Sequence, residues 1–249
     1  MADDKNRRCF ILLGLLLVVI WAALAVAPLD RKDWALENVL VLLFAPVLVL
    51  TRKRLPLSRI SYVCIFLFLA LHLVGAHYTY AKVPYDDWLK WATGVTLGDS
   101  LGFQRNHFDR LAHFSFGLLL AYPIREIFLR VAAVRGFWGY YLPLDVTMAI
   151  SMLYELVEWG AAELFGGDLG VAYLGTQGDV WDAQKDMALA TLGAMIAMFA
   201  TAAINIWLQR DFAYELAESL RVKKPAPLGE EEIARMLRKR KSASSEDRD

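Results

Sequence analysis

Cysteine is nearly absent. Cys9 and Cys64 are the only two, both sit inside apolar stretches, and no CxxC motif exists, which excludes a disulfide framework or a thiolate metal site. Net charge is also absent: 27 Lys and Arg balance 27 Asp and Glu, so no global field favours nucleic acid as a partner. There is no repeat of fixed period, and no low-complexity tract apart from the C-terminal tail. Histidine is scarce too, with four in 249 residues, so each one draws scrutiny.

Apolar residues are abundant and occur in blocks. The chain is 57% hydrophobic with a mean hydropathy of +0.36, too apolar for a typical soluble domain. A helix crossing the hydrocarbon needs about 20 predominantly apolar residues. Six segments qualify: 9–27, 35–51, 59–77, 110–129, 137–160 and 183–208. The predicted fold is therefore all-α, a polytopic membrane bundle of six transmembrane helices. Residues 1–209 form the transmembrane domain, and 210–249 form a charged cytoplasmic tail. The first segment follows Lys5, Arg7 and Arg8, as a signal peptide would. However, it is long for a signal h-region, and Pro28-Leu29-Asp30 is a poor cleavage site, so a retained anchor helix is the reading.

Orientation follows the lysines and arginines of the loops. They concentrate at the N-terminus, at 52–54 with Arg59, at Arg125, Arg130 and Arg135, and in the tail around 221–224 and 235–241. The opposite loops hold few. Both termini are thus expected in the cytoplasm. In the tail, Pro225-Ala226-Pro227 breaks the chain before an acidic-then-basic helical stretch, and 242–249 reads as disordered. The 78–109 loop carries Trp88 and Trp91 among charges, which predicts a short interfacial helix near 87–92.

Eight ionisable residues fall at the ends of these spans on one side: His77, Asp109, His113, Glu155, Glu158, Asp179, Asp182 and Asp186. Ionisable groups at membrane depth are costly and mark functional sites. Asp109 and His113 are four apart and share a helix face, suiting one metal ion or an Asp-oriented general base. The alternative is a first-turn acid beside a buried histidine. Glu155 and Glu158 are three apart and can face one cavity, or else pair with Arg105 or Arg110. Asp179, Asp182 and Asp186 follow i, i+3, i+7 on one stripe. Asp179 is also a candidate N-cap and Asp182 a favourable first-turn charge, whereas Asp186 lies beyond capping reach. His113, Glu155, Glu158, Asp179, Asp182 and Asp186 together compose a set suited to a divalent cation such as Zn²⁺, Mg²⁺ or Mn²⁺. His77, Asp109 and His113 are the candidate catalytic groups.

Three functions fit this pattern. One is a metal-dependent membrane enzyme acting on a lipid or lipid-linked head group at the extracytoplasmic face, with water activated by the metal or by His77 attacking a phosphoester or acyl carbonyl. Another is a proton- or cation-coupled small-solute transporter. A third is a structural membrane protein with a bound ion. His72, mid-span, is expected to hydrogen-bond a neighbouring helix, and Asp145 to pair with Arg125 or another inner-side cation.

Four blocks also carry a resemblance: Gly75-Ala76-His77-Tyr78-Thr79-Tyr80, residues 105–114, Tyr154-Glu155-Leu156-Val157-Glu158-Trp159, and residues 174–187. They resemble the signature blocks of the YjdF-like family over residues 10–209. That resemblance implies a bacterial inner-membrane location and a multi-pass helical fold, and it implies no reaction. More remotely, the order of an acid-and-histidine helix start, a Tyr-Glu-x-x-Glu helix and an Asp-rich helix with a later Gly193-Ala194 is similar to VanZ-like proteins. The chain departs from that pattern at Trp159, where VanZ-like proteins tend to have glutamine nearby.

Overall fold

The computed structural model describes residues 2–103, 105–167, 176–208, 212–223 and 229–246. Leu174 and Gly175 of the fourth block, the Pro225-Ala226-Pro227 break and residues 247–249 lie outside the described residues. All regular structure among the described residues is helical. The long helices are α1 (Ala2–Leu24), α2 (Arg31–Thr51), α3 (Arg59–His77), α6 (Phe108–Val131), α7 (Trp138–Phe165) and α8 (Asp182–Leu208). Short α4 (Tyr85–Thr93) and α5 (Leu97–Leu101) fill the loop before α6. The tail holds α9 (Phe212–Ser219) and α10 (Glu230–Glu246).

Four of these helices are long and apolar enough to cross a membrane: α1 from Lys5, α2, α3 and α8. The segments 110–129 and 137–160 form helices α6 and α7 of 24 and 28 residues, but neither is among those four. Arg110, Arg125, Glu126 and Arg130 dilute the first, and Asp145, Glu155, Glu158 and Glu163 the second.

Local chemistry sets the helix ends. Asp30 caps α2, its Oδ1 accepting from the backbone N–H of Lys32 and Asp33 at 2.8 and 3.1 Å. Ser58 caps α3, and Glu126 of α6 reinforces that end by accepting from the Ser58 N–H at 2.9 Å and the Ser61 hydroxyl at 2.6 Å. The predicted loop helix exists as α4, with Trp91 90% exposed. The tail departs from expectation: α10 runs through Glu246, because serine and alanine without an intervening proline or glycine let a helix continue. Its forerunner α9 docks on the start of α7, where the Phe137 N–H donates to the Ser219 Oγ at 2.9 Å and the Trp138 indole N–H to the Ser219 carbonyl at 3.0 Å.

α6 is the hub of the bundle, packed against α3, α7 and α8. Its closest approach is to α8, and glycine permits it. A Cβ on Gly117 would collide with the Ala190 carbonyl, and one on Gly193 with the Phe114 carbonyl. Small residues at such crossings let two membrane helices come into backbone contact. That contact fixes the register that brings the starts of α6 and α8 together. α3 in turn carries α1 and α2, and Leu57, Tyr62, Ile65, Phe68, Leu69 and Leu120 form the main apolar core between α3 and α6.

Candidate metal centre at one end of the bundle

The polar ends of α2, α3, α6, α7 and α8 meet at one end of the molecule, and they sort into three layers. The outermost is cationic. Arg105, just before α6, reaches Asp182 through two bonds, Nη1 to Oδ1 at 2.7 Å and Nη2 to Oδ2 at 3.3 Å. It also donates to the Thr176 carbonyl at 2.8 Å. Arg110 pairs with Asp179 and approaches Asp182 at 3.4 Å, and Lys185 meets Asp179 at 2.6 Å. The Lys185 ammonium, the Trp181 backbone N–H and the Arg110 guanidinium hold the Asp179 carboxyl down to about 2, so it stays ionised. His107 lies against Phe103, its ring tilted at 44° with centres 4.1 Å apart, and its burial and the adjoining Arg110 and Arg105 keep its imidazole below the usual range.

Beneath lies the inner cluster. Asp109, His113 and Asp186 each offer one ligand atom, and these atoms lie within 4.8 Å of one another. His113 Nε2 is 3.6 Å from Asp109 Oδ1 and 3.4 Å from Glu155 Oε1. The Glu158 carboxyl adjoins that of Glu155 and is buried. Asp186 is 2% exposed, and its Oδ1, like Glu155 Oε1, is buried without a hydrogen-bond partner. No salt bridge among the described residues joins Asp109, Glu155, Glu158 or Asp186 to a lysine or arginine. Buried carboxylates are ordinarily paired or bound to a cation, and ligand bonds of roughly 2.0–2.6 Å allow one ion to bridge atoms at this spacing.

The third layer escaped sequence reading. Asp33 and Glu37, four apart at the start of α2, are buried at 2% and 4% exposure. The Tyr154 hydroxyl donates to Glu37 Oε2 at 3.2 Å, and the Tyr154 ring packs edge-on to His113 at 5.9 Å. Tyr154 thereby links the α2 acids to the cluster. The i, i+4 spacing of two acids entering an apolar span was the available signal.

The eight candidates are therefore not one constellation. Asp109, His113, Glu155, Glu158 and Asp186 come together. Asp179 and Asp182 are engaged by Arg105, Arg110 and Lys185, because those cations reach α8's first turn before anything deeper. That engagement leaves Glu155 and Glu158 without the arginine partners considered for them. His77 belongs to another contact, its Nδ1 bonded to the Leu24 carbonyl at 2.8 Å. His72 bonds the Glu37 carbonyl of neighbouring α2 at 3.1 Å, as its mid-span place predicts. Asp145 is exposed, and Arg125 lies over the Tyr140 ring at 4.6 Å, which replaces the expected pair.

A set of long apolar helices with a buried acidic and imidazole cluster at one end defines an integral, multi-pass helical membrane protein. The chain belongs to the family described as predicted membrane protein DUF2238, whose model matches residues 9–206. It is 40% identical over 184 residues to the inner membrane protein YjdF of Escherichia coli K12, covering 74% of this chain and 83% of that protein. No solved structure matches it. The family places the chain among inner-membrane proteins, in agreement with its apolar helices.

Proposed function

We propose that the protein binds one divalent cation, Zn²⁺, Mg²⁺ or Mn²⁺, through Asp109, His113 and Asp186, with Glu155 and Glu158 completing or flanking the site. The observation that carries this is three ligand atoms within 4.8 Å of one another, one of them from Asp186, whose Oδ1 is buried without a partner. Asp179 and Asp182 stand outside the ligand set, since their oxygens already face cations. An ion held there supplies Lewis-acid polarisation of a phosphoester or acyl group. The surrounding residues orient it: Tyr154 against His113, and the Arg105–Asp182 pair closing the outer side. The reaction class is turnover of a lipid or lipid-linked head group at the extracytoplasmic face.

The membrane arrangement belongs to this reading. α6 and α7 complete a six-helix bundle: at about 1.5 Å per residue each exceeds the roughly 30 Å of hydrocarbon. Leu153, Leu156 and Val157 on α7 face outward as lipid-contacting residues do. Loop arginines and lysines put both termini in the cytoplasm and the cluster outside, with α4 resting at the outer interface. A reporter fused after Arg221 is expected to be cytoplasmic and one inserted near Gly98 extracytoplasmic; an extracytoplasmic C-terminal reporter overturns the orientation.

Metal content tests the site. Detergent-purified wild type should carry a divalent metal near one per chain, and Asp186→Ala should retain a small fraction of it. Equal content in the two proteins removes the assignment.

A further inference from the structure

Below the cluster, a cavity of about 410 Å³ runs between α2, α3, α6 and α7. On α6 its wall is one stripe, from Asp109 and Ala112 through Phe116 and Leu120 to Ile124 and Ile127. Eighteen steps of about 1.5 Å from Asp109 to Ile127 make this wall about 27 Å long. The cavity is thus long and narrow, and its volume lies in the range of about 300–1,000 Å³ usual for ligand sites.

Its polarity is one-sided. Its carboxyl and imidazole groups, Asp109, His113 and His72, line one end together with Tyr80 and Tyr154. Further along, the polar groups are already engaged: the Tyr62 hydroxyl accepts from the Leu57 N–H at 3.0 Å, and the Thr51 hydroxyl donates to the Val47 carbonyl at 2.6 Å. One lining hydroxyl differs. Ser151 is 2% exposed and its Oγ has no partner. It stands four residues before Glu155, one helical turn from the cluster.

The cavity is not closed. Val47 on α2, Ile127 on α6 and Ile150 on α7 line it and are 53%, 40% and 41% exposed, so its rim is apolar. A chain entering past them crosses no polar barrier.

We propose that this cavity seats one acyl chain of a membrane phospholipid, with the head group at the Asp109–His113–Asp186 cluster and the ester carbonyl accepting from the Ser151 hydroxyl. The assignment rests on the lipid reading of the proposed function and supplies its substrate class. The apolar wall matches a hydrocarbon chain, and burial of its methylenes drives entry at about 0.8 kcal/mol each relative to water. The free donor sits where the polar junction of head group and chain would fall. The second acyl chain stays in the bilayer, past the apolar rim.

The full-length protein in phosphatidylglycerol vesicles tests this, with a trace of phosphatidylglycerol bearing a diazirine at the end of one acyl chain. After irradiation, label is expected at the far end of the cavity, on Thr51, Leu55, Ile124 and Ile127. Filling the cavity with Leu120→Trp should reduce that label about tenfold. Ile150→Trp, at the exposed rim where the fold tolerates bulk, should do the same. Label confined to outward residues such as Leu15, Leu16 and Ile204, or unchanged in both variants, overturns the assignment. Metal content measured on the same samples separates the two readings. Cavity labelling in a protein without metal keeps the acyl site and removes the cation; metal without cavity labelling does the reverse.

Discussion

Stripping divalent cations with a chelator is expected to lower the melting temperature of the detergent-purified protein by about 5–10 °C. A ligand that binds only the folded chain, present at 100 times its dissociation constant, stabilises it by about 2.7 kcal/mol. For a chain of this size each kcal/mol moves the midpoint by about 2–4 °C. The three candidate ligand atoms come from two helices, Asp109 and His113 on α6 and Asp186 on α8, so an ion bound there would clamp the closest helix pair in the bundle. Adding back Mn²⁺, Mg²⁺ or Zn²⁺ should restore the midpoint, and the metal that does so most effectively identifies the preferred ion. In Asp186→Ala the response should vanish, because a third of the ligand set and the orphaned oxygen are gone. Indifference to chelator, with a steep pH dependence between about 5 and 8, would instead make the cluster a proton store and the protein a coupled carrier.

Arg105→Ala is expected to destabilise the protein by about 3 kcal/mol, the lower end of the range for removing one partner of a buried ion pair. The side chains of Arg105 and Asp182 are 13% and 6% exposed, joined by two hydrogen bonds, so water screens the pair little. Losing the guanidinium leaves Asp182, whose charge acts on the carboxyl groups of Asp109, Glu155 and Asp186, with only Arg110, at 3.4 Å, in reach among the described residues. Asp182→Asn in the same chain should recover part of the loss by removing the uncompensated charge. A melting temperature within a degree of wild type for the single variant would class the pair with surface bridges, worth roughly 0–1 kcal/mol.

Both predictions depend on a division among carboxylates that spacing alone does not reveal. The i, i+3, i+7 stripe of Asp179, Asp182 and Asp186 is a local property, and its members do lie on one stretch of chain. What separates them is depth. Arg105 and Arg110 arrive from the start of α6, reach only α8's first turn and the loop before it, and leave Asp186 one turn beyond their span. Asp33 and Glu37 were hidden for a related reason. Two acids opening an apolar helix read as first-turn charges, and their tie to the cluster, through the Tyr154 hydroxyl arriving from α7, is made only in three dimensions.

From the sequence by itself came the helical class, the apolar blocks, the loop helix with its tryptophans, and the gathering of acids and histidines at one end of the bundle. These are consequences of composition and of periodicity over a turn or two, which short stretches of chain carry independently. The tertiary structure alone decided which acids meet cations, that His77 turns to the Leu24 carbonyl, and that a long apolar cavity lies beneath the cluster. Those outcomes depend on helix crossings set by Gly117 and Gly193 against the backbones of Ala190 and Phe114, contacts between residues more than seventy positions apart. An ion pair or a cavity exists only where two helices are brought within a few ångströms, and no local pattern encodes that distance.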